Sequence, residues 1–283
     1  MATKTPAANT RSAGRARVPA RYTSLDVAIR SAVAVVTLNR PEVHNAFDET
    51  LIAEFTAALV ALGADAEVRV VVIAGAGPSF CAGADLNWMR KMAGYSRAQN
   101  LADAKALATM LATLNELPKP TVARVHGVAF GGGAGLVACC DIAIGAQDAE
   151  FAFSEARLGL IPATIGPYVV EAIGARAARR LFLTAERFTA AEAFRLGLLH
   201  DLAVPDEIDT RVGEIAGNLL KAGPNAQAEC KALLRAVAHG PIDATMIAGT
   251  VRRIADVRAS AEGKEGVAAF LGKRKAAWIP RGE

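Results

Sequence analysis

One glutamate stands out as a candidate catalytic group. The stretch FAFSEARLGLIPATIGPYVV, residues 151–170, places Glu155 among mostly apolar residues. Phe151, Phe153 and Glu155 share parity, so in a strand their side chains point to one face. A carboxylate on an apolar face loses hydration when ionised, which raises its pKa and suits it to accept and donate a proton near neutral pH. By burial statistics alone, a surface or salt-bridged glutamate is the commoner interpretation.

Two glycine-rich turns could supply hydrogen-bond donors to an oxygen of the same substrate. They are GAGPSFCAGADLNWM, residues 75–89, and HGVAFGGGAGL, residues 126–136. Each follows a predicted strand and precedes helix-like sequence, so each can present free backbone N–H groups. Two such amides converging on one oxygen would form an oxyanion hole, suited to a thioester enolate. Alternatively, the glycines only allow close packing of a helix on a sheet. The glycine spacing excludes a dinucleotide fingerprint and a P-loop.

The surrounding pattern predicts an α/β fold. Strands are predicted at 25–30, 33–38, 68–75, 121–127, 141–146 and 150–155, and helices at 48–62 and 97–117. Asp48 is the expected N-cap of the first helix, and the β-branched run VRVVVIAG is typical of a buried parallel strand. From Ile165 onward the pattern is almost wholly helical. We therefore expect an α/β core followed by a helical C-terminal extension.

Composition narrows the class of protein. The 283 residues are 52% hydrophobic and 21% charged, which is globular, and no apolar run is long enough to span a membrane. Residues 1–24 hold five basic residues and no acidic one, so the net charge of +4 arises in this tail and the remaining chain is near neutral. We expect the tail to be a flexible extension or an organelle transit peptide, and we expect no nucleic-acid partner. The four cysteines form no C-x-x-C pair and predict reduced thiols, and the four histidines lack ligand spacing, which predicts no metal.

Three motifs together resemble one known superfamily. FCAGADLNWM, GVAFGGGAGLVACCDIAI and FAFSEARLGLIPATIGPYVV resemble the crotonase (enoyl-CoA hydratase/isomerase) superfamily, and the resemblance runs from Leu25 to Trp278. It implies a ββα spiral core over residues 25–205 and a helical region over residues 206–283 that assembles homotrimers or dimers of trimers. It also implies an acyl-CoA thioester substrate, no cofactor beyond the coenzyme A of that substrate, and a location in the bacterial cytoplasm, or in an organelle matrix if the tail is a transit peptide.

The resemblance also implies roles for individual residues. The backbone amides of Ala84 and Gly132 would form the oxyanion hole, and Glu155 would be the catalytic carboxylate. The residues implied to contact substrate are His44, Ala46, Ala82, Asp85, Leu86, Phe130, Gly133, Pro162, Thr164, Phe270 and Lys273. For Lys273, a solvated basic helix end is an equally good interpretation.

The sequence departs from two-carboxylate hydratases of this superfamily at Gly135, where those enzymes have a second glutamate. A single carboxylate is compatible with hydration and with isomerisation of the double bond, and both remain open. GADLNWM, GGGAGLVACCDIAI and IPATIGPYVV look most like the branch acting on methylglutaconyl-CoA and isohexenylglutaconyl-CoA. A cation or hydroxyl is expected to receive the second carboxylate of such substrates; Arg157, Thr164 and Tyr168 are near in sequence, and a structural role is an equally good interpretation of each. A water, held for example by Asn115, could fill the space above Gly135.

If the protein is not an enzyme, the alternative interpretation is a non-catalytic protein that binds acyl-CoA.

Overall fold

The computed structural model describes residues 22–279. Most of the predicted tail, residues 1–21, and the last four residues lie outside this range. Residues 22–24, assigned from sequence to the tail, lie against the first helix. Thr23 and Ser24 donate backbone and hydroxyl hydrogen bonds of 2.6–3.1 Å to the Glu54 carboxylate. Residues 22–24 are therefore attached to the fold ahead of the first strand.

The described residues form two sheets and a series of helices. The strands are β1 (Leu25–Arg30), β2 (Val33–Leu38), β3 (Val70–Gly75), β4 (Thr121–Val125), β5 (Val128–Phe130), β6 (Ile142–Ala146), β7 (Glu150–Ala152), β8 (Arg187–Thr189) and β9 (Asp201–Ala203). The helices are α1 (Glu49–Ala64), α2 (Leu86–Met92), α3 (Arg97–Asn115), α4 (Gly132–Cys139), α5 (Gly166–Thr184), α6 (Ala190–Leu196), α7 (Ile208–Lys221), α8 (Pro224–Val237), α9 (Ala244–Ala259) and α10 (Ala261–Leu271).

The larger sheet has the strand order β1-β2-β3-β4-β6-β9. The β1–β2 hairpin is antiparallel and turns through Ser31 and Ala32, both at positive φ, as a two-residue turn matched to the strand twist requires. The other pairs are parallel and are joined by helical crossovers. The predicted buried parallel strand is confirmed, because five of the six residues of β3 are buried. The smaller sheet has the order β5-β7-β8.

Helices cover both faces of the larger sheet. Asp48 caps α1 as predicted, accepting a 2.8 Å hydrogen bond from the Leu51 N–H, and α1 packs on α3 over the main core. On the other face, α7 buries an apolar stripe against β3, β4 and β6. That stripe consists of Ile208, Val212, Ala216 and Leu220. The site-bearing turns therefore leave a sheet that is packed on both sides.

One local prediction was wrong, and a second omitted two short strands. Strand β7 ends at Ala152, and Glu155 begins a 3-10 turn (Glu155–Leu158) instead of continuing the strand. Gly159 at φ +71 closes this turn, a conformation that the parity argument did not consider. The chain after Ile165 is mostly helical, as predicted, but it also contains β8, which completes the smaller sheet, and β9, which extends the larger one. Both strands have three residues, too few for a period-two pattern to be visible.

The C-terminal helices α8–α10 pack on one another. No residue of α8 or α9 is buried, and several large apolar side chains on α8–α10 are exposed. A half-buried ion pair anchors this region, because Lys231 of α8 donates a 2.6 Å hydrogen bond to Asp141, which also accepts from Thr121. None of the helices between residues 22 and 279 has the length and hydropathy of a transmembrane span.

Candidate active site

The turn that carries Ala84 is held by backbone pairing to the segment before α1. The Ala82 N–H donates to His44 O at 2.9 Å, the Phe47 N–H donates to Gly83 O at 2.6 Å, and the Asp85 N–H donates to Phe47 O at 2.8 Å. This pairing uses the Ala82 and Asp85 amides and the Gly83 carbonyl, and it leaves the Ala84 amide out. The Ala84 N–H has no acceptor within residues 22–279.

The same turn is joined to the second glycine-rich turn. Cys81 pairs with β5, since its N–H donates to Val128 O and its carbonyl accepts from the Phe130 N–H, both at 3.0 Å. The next turn of chain brings Gly83, at φ +92, against the start of α4. A β-carbon on Gly83 would lie 2.9 Å from Phe130 O and 3.7 Å from the Gly132 nitrogen. The turns bearing Ala84 and Gly132 are therefore in direct contact.

Gly132 is the first residue of α4, where helix N–H groups lack intrahelical acceptors. Gly131 precedes it at φ +49, and the Gly131 N–H donates to Ala152 O at 2.8 Å. The Gly132 N–H has no acceptor in the described part of the chain. A β-carbon on Gly132 would lie 2.6 Å from the Phe47 ring, which is buried. Glycine is therefore required there by close packing as well as by access to the amide.

Glu155 reaches the same place from the other side. Its Oε1 would lie 3.2 Å from a β-carbon on Gly131, so the carboxylate contacts the residue next to Gly132. Its Oε2 is buried and has no hydrogen-bond partner among the described residues. Burial raises the pKa of Glu155, against the opposing effect of a hydrogen bond from its own backbone N–H. The structure thus brings the three predicted catalytic residues together, with a carboxylate whose proton affinity is increased.

Arg40 is a residue of this site that sequence reasoning missed. Its guanidinium donates to Ala46 O at 2.6 Å and lies 3.0 Å from both the Asp85 and the Asp48 carboxylates. Asp48 and Asp85 are the N-caps of α1 and α2, and Asp85 adjoins Ala84. A signal was present in the sequence, since an arginine lies two residues after the end of β2 and two capping carboxylates come later in the chain. Their convergence on Arg40 is a tertiary contact that the local pattern does not reveal.

Asp85 contributes to the site as a structural anchor. Its carboxylate accepts hydrogen bonds from the Asn87 and Trp88 amides and from Arg40. Burial by itself would raise the pKa of Asp85, but these donors outweigh burial and lower it. We infer that Asp85 positions the turn and does not meet substrate through its carboxylate.

The space above Gly135 is occupied. A β-carbon on Gly135 would lie 2.8 Å from Ile165 Cβ and closer still to Ile165 Cγ2. Ile165 is only 2% exposed and forms the N-cap position of α5. The expectation of a water held above Gly135, for example by Asn115, was therefore wrong, because a hydrocarbon side chain fills that volume.

The remaining predicted substrate contacts fall into three groups. Leu86 and His44 are exposed beside the Ala84 turn, and the His44 ring lies 2.9 Å from the Ser79 hydroxyl. Ala46, Ala82, Phe130 and Gly133 lie in or next to the paired turns, and Pro162 and Thr164 lie in the segment between the 3-10 turn of Glu155 and α5. Phe270 and Lys273 are not brought to the site, because α10 packs on α8 and α9, and Phe270 is 82% exposed.

The candidate site contains no cluster suited to a metal. Within residues 22–279, no group of three or more histidine, cysteine or acidic side chains could hold a metal ion. All four cysteines lie in this range and are free thiols, as expected from their spacing. Cys81 is fully buried beneath the site, and burial raises the pKa of its thiol to about 12.

Comparison with known proteins identifies the family. The sequence profile of the Enoyl-CoA hydratase/isomerase family matches residues 28–281. The chain is 34% identical to the crotonyl-CoA hydratase of Syntrophomonas wolfei, with 92% of this chain and 99% of that protein covered. It is 31% identical to the short-chain-enoyl-CoA hydratase of Clostridium acetobutylicum, with 86% and 92% covered. The crystal structure of an enoyl-CoA hydratase from Shewanella pealeana superposes with a TM-score of 0.90 at 43% identity, covering 92% of this chain and 98% of that one.

The chain belongs to the enoyl-CoA hydratase/isomerase family, the crotonase superfamily, as its motifs predicted. The expected crotonase-like α/β fold is confirmed by the superposition. The protein is an enzyme of a family that acts on acyl-CoA thioesters, and enoyl-CoA hydratase function is supported at family level.

Proposed function

We propose that this enzyme adds water across the 2,3 double bond of a branched enoyl-CoA such as 3-methylglutaconyl-CoA, with Glu155 as its only proton-transferring side chain. The observation that supports this most directly is the buried, unpartnered Oε2 of Glu155 beside the amide-rich start of α4. A carboxylate oxygen without a protein partner is available to a water or a substrate carbon.

The proposed reaction follows from the three groups. The thioester oxygen accepts hydrogen bonds from the Ala84 and Gly132 amides. Glu155, as the carboxylate, takes a proton from a water whose oxygen forms a bond to the β-carbon, and the electrons of the double bond move to the thioester oxygen as an enolate. Glu155, now a neutral acid, gives its proton to the α-carbon, which restores the carbonyl and the carboxylate. The sum is the addition of one water molecule.

The expected energetic contributions are consistent with this division of roles. An oxyanion-hole donor is typically worth about 3 kcal/mol to a transition state that carries charge on the accepting oxygen. General acid–base catalysis by a positioned carboxyl group contributes roughly 10²–10⁴-fold. Burial shifts the pKa of Glu155 towards neutral pH, where the carboxyl group can both accept and donate a proton.

The branched substrate is supported by the motif resemblance to hydratases of methylglutaconyl-CoA and isohexenylglutaconyl-CoA. These substrates carry a second carboxylate, which needs a cation or a hydroxyl donor. Arg157 is exposed in the same 3-10 turn as Glu155, and the half-buried Thr164 and Tyr168 follow close behind. We propose this segment as the region that receives the second carboxylate.

Double-bond isomerisation is the second candidate function. Ile165 fills the space at position 135, and among the described residues the side chain nearest to a β-carbon on Gly131 is the Glu155 carboxylate. One carboxylate suffices to move a proton between the α- and γ-carbons without adding water. The presence of a single carboxylate therefore supports isomerisation as a second candidate function.

We further propose a homotrimer, or a dimer of trimers, in which α8–α10 contact neighbouring subunits. The exposed apolar side chains of these helices are Leu234, Ile247, Val251, Ile254, Val267, Phe270 and Leu271. An apolar groove of about 390 Å³ also runs between α8 and α9. Exposed apolar surface on this scale is typical of a protein–protein contact. Phe270 and Lys273 would then meet the coenzyme A of a neighbouring subunit.

The test is product analysis in oxygen-18 water. Purified protein is incubated separately with 3-methylglutaconyl-CoA, crotonyl-CoA and a 3-enoyl-CoA, and the products are weighed by mass spectrometry. Incorporation of labelled oxygen, fastest with 3-methylglutaconyl-CoA, is the expected result. Conversion of the 3-enoyl-CoA to its 2-enoyl isomer with no label in any product would establish the isomerase instead. Glu155→Gln should abolish either reaction, and the exposed Glu67→Gln is the matched control.

A further inference from the structure

Gly135 and Ile165 form a tightly matched pair between two helices. Gly135 is a buried residue of α4, and Ile165 stands at the start of α5. A β-carbon added to Gly135 would lie only 2.8 Å from the Cβ atom of Ile165, at the branch point of that side chain. Real β-carbons do not approach side-chain atoms this closely, so no residue with a side chain fits at position 135 while Ile165 keeps its place.

Ile165 cannot easily move aside. It is β-branched, and its χ1 angle is therefore restricted. It is 2% exposed, and the turn that holds it is closed by hydrogen bonds from the Gly166 N–H to Pro162 O at 2.8 Å and from the Val169 N–H to Ile165 O at 3.1 Å. The contact involves atoms near the backbone, and these cannot swing away as the end of a long side chain could.

Position 135 is close to the reacting groups. The Gly135 N–H donates to Gly131 O at 3.1 Å, and four residues of α-helix rise by about 6 Å. Gly131 in turn contacts the Glu155 carboxylate. Position 135 is therefore one helical turn from the residue that the Glu155 carboxylate contacts, and the volume next to position 135 is filled by the hydrocarbon of Ile165.

We propose that Ile165 is a positioning residue that confines the proton chemistry to Glu155 by filling the volume that a second side chain, projecting from position 135, would need. This rests on the role proposed above for Glu155. The consequence is that Glu155 titrates as an isolated carboxyl group whose pKa is set by burial and not by a neighbouring charge. Two close carboxylates would instead titrate as a coupled pair in two steps.

The first experiment tests the matched pair by stability and needs no substrate. Gly135→Ala should lower the midpoint of thermal unfolding by about 5 °C or more, because it overpacks a buried contact. Ile165→Ala added to Gly135→Ala should recover part of that loss. Gly133→Ala is the specificity control, because a β-carbon on Gly133 meets Cys81 at 2.9 Å and so should not be rescued by Ile165→Ala. Gly213→Ala, in open space on α7, controls for the helix propensity of alanine.

The second experiment follows the Glu155 carboxyl by ¹³C NMR in protein labelled at glutamate, with Glu155→Gln to assign the signal. Wild type should show one titration step. The double variant Gly135→Glu/Ile165→Ala should show the Glu155 titration moved to higher pH and split into two steps, because a like charge disfavours ionisation. The double variant Gly135→Gln/Ile165→Ala has the same shape without the charge and should keep a single step.

Three results would overturn the proposal. The first is that Gly135→Ala is as stable as wild type, and the second is that Gly135→Ala/Ile165→Ala is no more stable than Gly135→Ala. The third is that Glu155 titrates in the same way in Gly135→Glu/Ile165→Ala and in Gly135→Gln/Ile165→Ala. Failure of Gly135→Glu/Ile165→Ala to fold, when the double alanine variant folds, would also count against it. None of these readouts depends on turnover. A protein that hydrates no substrate would refute the proposed function alone.

Discussion

Arg40 and Asp85 lie 3.0 Å apart, and this ion pair adjoins the Ala84 amide. The same guanidinium also holds Asp48 and the carbonyl of Ala46. Both carboxylates cap helices, so a single side chain joins the starts of α1 and α2 to the turn that presents Ala84. The position of the Ala84 amide is therefore determined by a charged contact beneath the turn as well as by backbone pairing.

Arg40→Lys should lower kcat by about 10-fold or more while changing KM less. Lysine keeps the charge but replaces the planar, two-nitrogen fork that reaches Ala46 O and both carboxylates with a single nitrogen, and a displaced amide loses contacts that matter most in the transition state. Steady-state kinetics on the best substrate measure this. Arg195→Lys, at an exposed arginine paired with Glu192, is the control and should leave both constants unchanged. A raised KM with normal kcat would mean that Arg40 serves binding alone.

Glu155→Gln should stabilise the folded protein at neutral and alkaline pH. The pKa of Glu155 is raised by burial above the ordinary value of 4.5, so the folded state binds this proton more tightly than the unfolded state. Well below pH 4.5, Glu155 is protonated in both the folded and the unfolded state, so it does not make the free energy of unfolding depend on pH. As the pH rises from 4.5 through the raised pKa, ionisation increasingly favours unfolding.

Urea unfolding of wild type and Glu155→Gln at about pH 4 and about pH 8 measures this effect. The stability difference between the two proteins should shift in favour of the variant at the higher pH. The same pair of measurements with Glu67→Gln should show no such shift. A pH-independent difference for Glu155→Gln would place its carboxylate in water.

Gly132→Ala should lose activity and also stability, by about 1–3 kcal/mol, because the added methyl group would lie 2.6 Å from the buried Phe47 ring. Phe47→Leu combined with Gly132→Ala should recover stability more than activity, since the methyl group still stands beside the oxyanion-hole amide. Denaturant unfolding and turnover measured on the same preparations separate the two effects. Equal recovery of both would indicate that Gly132 matters only for packing.

Val251→Asp and Phe270→Asp should dissociate the proposed trimer, because each places a charge on an exposed apolar side chain of α9 or α10. Sedimentation equilibrium should show a trimer or hexamer for wild type and smaller species for the variants. Lys105→Asp, at an exposed position of α3, should keep the wild-type assembly. A monomeric wild type would refute the assembly directly.

Features that depend on a few neighbouring residues were predictable from the sequence. The N-cap Asp48 follows from its side-chain type at a helix start, and the burial of β3 follows from its run of valines. The resemblance also pointed to Glu155, which the structure places against the Gly131–Gly132 turn beside the contacting Ala84 turn. The 3-10 turn at Glu155 was missed because an alternating pattern continues past the point where β7 ends.

Features that depend on contacts between distant segments were not predictable. Ile165 reaches Gly135 across thirty positions of sequence, and nothing in the local pattern of either residue indicates the contact. Arg40 meets Asp85 across forty-five positions. Strand β9 is recognisable only once β6 is present to pair with it.

The Gly135–Ile165 packing also limits the routes by which a relative could change its number of catalytic carboxylates. A lineage that first acquired a glutamate at position 135 would pass through an overpacked and destabilised intermediate. One that first lost the bulk of Ile165 would pass through an intermediate with a small cavity, which a protein with stability to spare can survive. The two substitutions are therefore expected to be fixed in a preferred order, and each makes reversal of the other harder.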